Sequence, residues 1–312
     1  MPNGLNLLFQ FLDSFAFIVL AAAGLAIIFG IMGVINLAHG EFIMVGAYAT
    51  TLANLEAGLP LPLAMLVGVL VTAMFGLVVE RVVISGTVPN AIGRRVLGRD
   101  VVEPLYDRLA DSMVATWGLS LVMVQGVRLT LGNSLDQIGT PLGKIAYGGF
   151  SYSSYRVLLA GVALGLLAAT YLAFTRTDYG MRARATVQDD DTARALGVDT
   201  ERTYMTTFAL GSALAGFTGA LYAPTITMVP GLGGSFLVEA FVAVVVGGPG
   251  VVLGTTLAGG LLGAINALFS NLVGTFFGRI ALLVTAIVML RFLPDGITGF
   301  LDRLRQRRQE GA

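Results

Sequence analysis

The chain has no cysteine, one histidine and few charges, and each shortage removes a class of function. Without cysteine among its 312 residues there is no disulfide, no thiolate nucleophile and no cysteine-ligated metal. The lone histidine, His39, cannot build a histidine metal cluster. Charged residues make up 12% of the chain, against roughly 25% in an ordinary soluble domain. Lysine plus arginine (19) balance aspartate plus glutamate (19), so no basic field invites nucleic acid. A phosphate-binding GxxxxGK[ST] loop is missing too, because Gly143-Lys144 is followed by Ile145. Neither HExxH nor GxSxG occurs. Met1 to Gln10 hold no basic residue, so the start does not read as a cleavable signal, and the first apolar segment is expected to stay as a span.

Apolar residues are abundant instead. They form 55% of the sequence, and the mean hydropathy is +0.81. A water-soluble fold of this composition would expose large apolar patches, so the solvent for most of the surface must be lipid. Since a crossing helix needs about 20 mostly apolar residues, candidate spans fall near Phe15–Ile35, Glu41–Asn54, Leu61–Glu80, Met113–Leu131, Val157–Phe174, Tyr204–Met228, Phe236–Val246, Val251–Phe269 and Ile280–Phe292. Glu41–Asn54 and Phe236–Val246 are short enough to be re-entrant or halves of broken helices. The expected fold is an all-α polytopic membrane protein with about nine (8–10) transmembrane helices, forming a single transmembrane domain over residues 1–312.

Arginine placement predicts the orientation. Arg81, Arg94, Arg95, Arg99 and Arg108 fall in one segment, about 81–111. Arg176, Arg182, Arg184, Arg194 and Arg202 fall in another, 176–203, and Arg303, Arg305, Arg307 and Arg308 in the tail, 294–312. Met1–Ser14 has no positive residue and Gly132–Tyr155 has Lys144 and no other. Cytoplasmic segments carry the excess of lysine and arginine, which puts the three basic segments inside, the C-terminus inside and the N-terminus outside, and requires an odd number of crossings. Trp117, Tyr147, Tyr152 and Tyr155 are candidates for the interfacial aromatic belt or for simple packing. Glycine numbers 41, and the spacings Gly211–Ala215–Gly219 and Gly259–Gly263 suit close helix approach in lipid.

Three features break the apolar pattern. The stretch GVINLAHGEFIMVGAY, Gly33 to Tyr48, packs Asn36, His39, Gly40 and Glu41 into a run too long for one span. Asn36 is positioned to cap the following helix, and Glu41 sits where the positive end of the helix dipole favours a carboxylate. Ionisable groups at membrane depth cost ~2.5–3.5 kcal/mol, which makes them functional candidates. A capped interfacial turn, a solute contact, and a gate or partner contact all fit. Next, Glu239 stands alone in an apolar segment that ends in Gly247, Gly248, Pro249 and Gly250. It lines a polar cavity beside a broken helix or is solvated at the headgroups. Last, GMRARATVQDDDTARALGVDTER, Gly180 to Arg202, combines heavy charge with apolar Ala193, Leu196 and Val198, and Gly197 can end its helix. It is a docking knob for a soluble partner or an ordinary solvated loop.

The motif Gly33–Tyr48, the loop Gly180–Arg202 with the following TFALGSALAGFTGAL, and the run FVAVVVGGPGVVLGT occur in that order. Together they resemble the LivH-type permeases of branched-chain amino acid ABC importers, over about Leu20 to Gly299. FGIMGVINLAHGE resembles equally the urea and short-chain amide permeases of that family. The resemblance implies a heteromeric assembly: a second, related permease subunit, two cytoplasmic ATPases and an extracytoplasmic substrate-binding protein. ATP would then be used by the partner and no cofactor by this chain. It also implies a coupling helix: Asp191-Thr192-Ala193 followed by Gly197 looks like an EAA-x-x-x-G pattern, without its later leucine–proline element. Arg182, Arg184, Asp191, Ala193, Leu196 and Gly197 would then face the ATPase, and Asn36, His39, Gly40, Glu41, Glu239, Gly247 and Gly248 the translocation path or its gate. Segment 85–110 is longer and more charged than the resemblance leads one to expect. An ion-gradient-driven transporter titrating His39, Glu41 and Glu239 is the alternative from another class.

Overall fold

The apolar runs named above coil into helices over most of their length in the computed structural model, which describes residues 2–106, 108–147 and 149–310; the runs 15–35 and 204–228 end in non-helical residues. The order is α1 (Pro2–Met32), α2 (His39–Leu55), α3 (Leu61–Val79) continuing as a π-helical turn (Glu80–Ile84), α4 (Thr87–Leu97), α5 (Leu109–Leu131), β1 (Lys144–Tyr147) and β2 (Phe150–Ser153). There follow α6 (Ser154–Arg176), α7 (Asp178–Gln188), α8 (Asp190–Ala195), α9 (Thr200–Tyr222), α10 (Leu232–Gly247), α11 (Val251–Val273), α12 (Thr275–Phe292) and α13 (Gly296–Glu310). By length and apolar composition, 6 of the described helices are able to cross a membrane: Gly4–Met32, Leu61–Ile84, Leu109–Leu131, Ser154–Arg176, Val251–Val273 and Thr275–Leu304. Helices α2 and α10, of 17 and 16 residues, are shorter. Met1 and the tail's last two residues lie outside the described residues, as do the side chains of Tyr147, Arg305, Arg307 and Arg308.

The expectation of helix alone missed a hairpin. β1 and β2 pair antiparallel with Lys144 opposite Ser153 and Tyr147 opposite Phe150. The segment is rich in glycine, and its two four-residue stretches, KIAY and FSYS, carry the β-branched and aromatic residues that suit a pleated ribbon.

The chain divides into two compact units interleaved in sequence. The first comprises Met1–Ala23, Thr140–Tyr171 and Val238–Ala312. Within it α11 packs along α12, Gly259 lets Val19 close in on α11, and Arg156 pairs with Asp13 at 2.5 Å. Tyr152 stacks on Phe9 with ring centroids 5.1 Å apart and Tyr155 is buried, so both tyrosines serve packing.

The second unit comprises Gly24–Gly139 and Leu172–Leu237. Its centre is the mutual packing of α2, α3 and α9, and small residues set the spacing. Gly46 meets the backbone of Gly216, Gly219 meets the carbonyl of Ile43, and Gly68 meets Thr50 so closely that a methyl group at any of them would collide. In lipid there is no hydrophobic gain in bringing apolar helices together, so this close van der Waals contact is what holds them. Thr50, Thr72, Thr207 and Ser212 turn their hydroxyls back on the carbonyl four residues earlier, which lets polar residues lie inside the bundle with their hydrogen bonds made. Trp117 is exposed.

Candidate functional site

The break between α1 and α2 is the polar centre of the second unit. After Gly33 the chain is non-helical to Asn36 and turns through Leu37 and Ala38 before α2 begins. An unwound backbone buried inside the protein must find partners, and α5 supplies them. Ser112 Oγ accepts from Ile35 N at 3.3 Å, Thr116 Oγ1 accepts from Leu37 N at 3.0 Å, and the same hydroxyl lies 3.2 Å from Ile35 O. Ser120, one turn further along α5, hydrogen-bonds the Glu41 carboxylate. Ser112, Thr116 and Ser120 are four apart and share one helix face. Sequence reading missed this stripe because isolated hydroxyls in an apolar helix ordinarily bond their own backbone.

The residues predicted around the break separate into three roles. Asn36 does not cap α2. Its Oδ1 accepts from Ala38 N at 3.0 Å, which closes a turn, and Ala38 holds the N-cap position with no side-chain bond. Gly40 is steric: a methyl group there would strike the carbonyl of Gly233. His39 and Glu41 are two residues apart, hence about 200° apart around α2, and the structure does not bring them together. His39 Cε1 reaches toward Gly24 of α1, while Glu41 faces α5.

Glu239 has a partner the sequence did not suggest. Arg279 of α12 places Nε at 3.0 Å from Oε1 and a terminal nitrogen at 3.3 Å from Oε2, a two-point grip in which each guanidinium nitrogen meets one carboxylate oxygen. The nearby glycine break is likewise satisfied. Thr298 Oγ1 donates to Gly247 O at 2.8 Å and accepts from Gly250 N at 3.1 Å. Gly248, at φ +82, packs against Asp295 and Gly296. The α10–α11 turn therefore closes on its own unit.

The segment expected as one docking helix is two, α7 and α8, parted at Asp189. That residue is extended (φ −163, ψ 106) and its carboxylate accepts from Thr192 N at 2.9 Å. That cap holds its carboxyl below the ordinary range, so the carboxylate form that makes the break is present at neutral pH and lost only in acid. Ala193 is buried, Asp191 is exposed, and Arg194 reaches back to Asp190 at 2.8 Å. Gly197 takes φ +88, a left-handed conformation that suits glycine, and this turn leaves Leu196 projecting with 80% of its surface exposed. Beside it lies an open groove of about 550 Å³ lined by Tyr179, Arg182, Leu196, Gly197 and Arg202. Arg184 is exposed on α7.

Segment 85–110 packs onto the start of α9. Arg81 pairs with Glu201 at 2.6 Å, and the Asn90 side-chain amide holds Val101 and Val102 by hydrogen bonds to their backbone. Tyr106 packs on Tyr204 with ring centroids 4.5 Å apart and donates to Glu80 at 2.5 Å. Burial, then the carboxylate beside it, pushes the Tyr106 hydroxyl well above the ordinary phenol range, so it stays a donor. A second cavity of about 740 Å³ lies here, and its lining includes Asn90, Arg94, Arg194 and Glu201.

Apolar helices long enough to cross a bilayer, one of them broken at a polar centre, define a multi-pass membrane transport protein. The family described as "Branched-chain amino acid transport system / permease component" matches residues 7–293, and the chain belongs to it, as a permease of the inner membrane. It is 29% identical to the high-affinity branched-chain amino acid transport system permease protein BraD of Pseudomonas aeruginosa, over 90% of this chain and 91% of that one. It is 28% identical to LivH of Escherichia coli K12, over 90% of each. The autoinducer 2 import system permease protein LsrC of Klebsiella pneumoniae is 39% identical over 34% of this chain and 31% of its own. No solved structure matches.

Proposed function

We propose that this chain is one membrane subunit of an ATP-driven importer of branched-chain amino acids, worked by separate cytoplasmic ATPases through alternating access. The whole chain acts as one permease domain with about nine crossings, its N-terminus outside and its arginine-rich segments and C-terminus inside. A related second permease completes the pore, and an extracytoplasmic binding protein delivers the solute. Relatives named for branched-chain amino acid transport support the substrate. The observation that carries the coupling is Leu196, a large apolar side chain held out from a charged loop by the Gly197 turn. Nucleotide closure in the ATPases would move α7 and α8, and through Arg81–Glu201 and the Tyr106–Tyr204 ring contact the motion would reach α3 and α9. Within this reading Asn36 and Glu41 line the path, His39 and Gly40 set the packing of the break, and Glu239, Gly247 and Gly248 hold their own unit together.

The test separates assembly from folding. Leu196→Asp changes an exposed side chain and should purify from membranes in normal yield, whereas Gly197→Arg also strains the turn at φ +88, so its assembly and uptake are scored per folded molecule. Losing a buried apolar anchor at an interface costs about 2 kcal/mol or more, so ATPase co-purification and leucine uptake should each fall roughly thirtyfold. Normal assembly together with normal uptake would refute the docking role.

A further inference from the structure

Four polar groups at the head and along one side of α2 lack partners among the described residues: Asn36 Nδ2, Glu41 Oε2, the Tyr48 hydroxyl and Thr51 Oγ1. All four residues are nearly sealed, with exposures of 1%, 4%, 3% and 1%. Positions 41, 48 and 51 fall within about 80° of one another around a helix of 3.6 residues per turn, and span about 15 Å along it. Thr51 is telling, because the adjacent Thr50 satisfies itself on Gly46 O at 2.8 Å while Thr51 does not. The opposite face of α2 is fully engaged, Gly46 against Gly216 and Thr50 against Gly68. On the polar side Val45, Ala49 and Leu52 remain half-buried, so the stripe borders the looser flank of the helix.

A buried carboxylate oxygen without a partner is costly, and three unpartnered groups in register on one helix are not explained by packing. No cation is paired with Glu41 among the described residues. The groups present are a carboxylate acceptor, two hydroxyls and, at the head, one amide donor. We infer that this face of α2 is a polar track that accepts the N–H-bearing end of a small solute, an ammonium or a primary amide. Glu41 is its principal acceptor, and Asn36 Nδ2 donates to the solute's carboxyl or carbonyl oxygen. The inference rests on the importer reading and names the residues the solute slides along. Broken membrane helices supply solute sites in this way, through unwound backbone and flanking polar groups.

The chain's lack of cysteine allows a clean test that needs no ATPase. Thr51→Cys and Tyr48→Cys are made in the full-length protein in membrane vesicles, with Thr50→Cys on the engaged face as control. Each is treated with a trimethylammonium-ethyl or a sulfonato-ethyl methanethiosulfonate, which modify thiolates only in water. Both track variants should label, the cationic reagent roughly tenfold or more faster than the anionic one, since a cleft of one charge concentrates counter-ions by that order. Glu41→Gln should bring the ratio close to one, while Thr50→Cys stays unlabelled. Thr51→Cys is nearly isosteric, so it answers the question if Tyr48→Cys fails to fold. No labelling at either position would mean a dry or lipid-facing stripe and overturn the proposal. Labelling with no charge preference, or with one indifferent to Glu41→Gln, would overturn it as well. So would labelling abolished by co-expression of the second permease, which would make the stripe a subunit interface. Failure of the importer reading shows separately, as leucine uptake that survives ATP depletion.

Discussion

Gly219→Val should eliminate folded protein. A Cβ at position 219 would be driven into the carbonyl oxygen of Ile43 and to 2.7 Å from Ala47 N. Both obstacles are backbone of α2, so no side-chain rotation relieves them. Moving α9 away from α2 is the remaining escape, and it is resisted on two sides. Gly46 and Gly216 already touch backbone to backbone, and Gly216 also lies against Thr72 of α3, where an added Cβ would come within 2.6 Å of the threonine Cβ. Opening a gap of 0.5–1 Å forfeits a quarter to a half of each contact's attraction, in a setting where lipid contributes no hydrophobic restoring force. Overpacking ordinarily costs about 1–3 kcal/mol. With an entire helix pair displaced we expect at least the upper figure, a large part of a domain stability of about 5–15 kcal/mol. The measurement is the yield of monodisperse full-length protein in mild detergent and its thermal unfolding midpoint. Gly118→Ala and Gly260→Ala, helical positions with open space around them, should be tolerated or gain up to ~1 kcal/mol of helix propensity. If Gly219→Val behaved like those two, the close-approach account of α2, α3 and α9 would be wrong.

The same glycines show what the sequence could and could not disclose. Gly211, Ala215 and Gly219 at four-residue spacing announced a helix face built for close approach, and the structure puts Gly211 against Gly24 and Gly219 against Ile43. Spacing along one chain does not say which helix arrives at that face, so the pairing of α9 with α2 was not legible. The break at Gly33–Ala38 was legible too, because Asn, His and Glu crowded into an apolar run interrupt any continuous lipid-facing helix. Its partners were not. Ser112, Thr116 and Ser120 come from a helix some 80 residues downstream, and nothing in an isolated serine marks whether it serves a neighbour's backbone or its own. Asp189 was hidden for a different reason. In QDDDTARALG any of three adjacent aspartates could cap, and the choice that splits the expected helix depends on the backbone of Thr192. The hairpin at 144–153 is hidden because each of its strands has four residues, too few for alternation to stand out against the flanking glycines.

Arg279→Leu is the second large effect we expect, and it bears on whether Glu239 belongs to the path. Periodicity left that carboxylate alone among valines and alanines, and Arg279 lies 40 residues away at the start of the next-but-one helix. The carboxylate side chain is 11% exposed and the guanidinium 50%, so removing the arginine strands a buried charge while removing the glutamate leaves a solvated one. Breaking a buried pair from one side costs about 3–5 kcal/mol; the half-exposed guanidinium argues for the lower figure. Arg279→Leu should therefore unfold at markedly lower temperature, Glu239→Gln should lose less, and Arg279→Lys should fall between, because a single ammonium cannot reproduce the two-point grip. The double variant Glu239→Leu/Arg279→Leu removes both charges and should recover most of the loss, since a well-packed apolar pair often replaces an ion pair without penalty. Uptake measured on the same four proteins decides the functional question. If Glu239 only ties α10 to α12, transport per folded molecule returns with stability in the double variant. A double variant that is stable but does not transport would place the Glu239 charge among the groups the solute meets, and Glu41 would then have a second acceptor on the route.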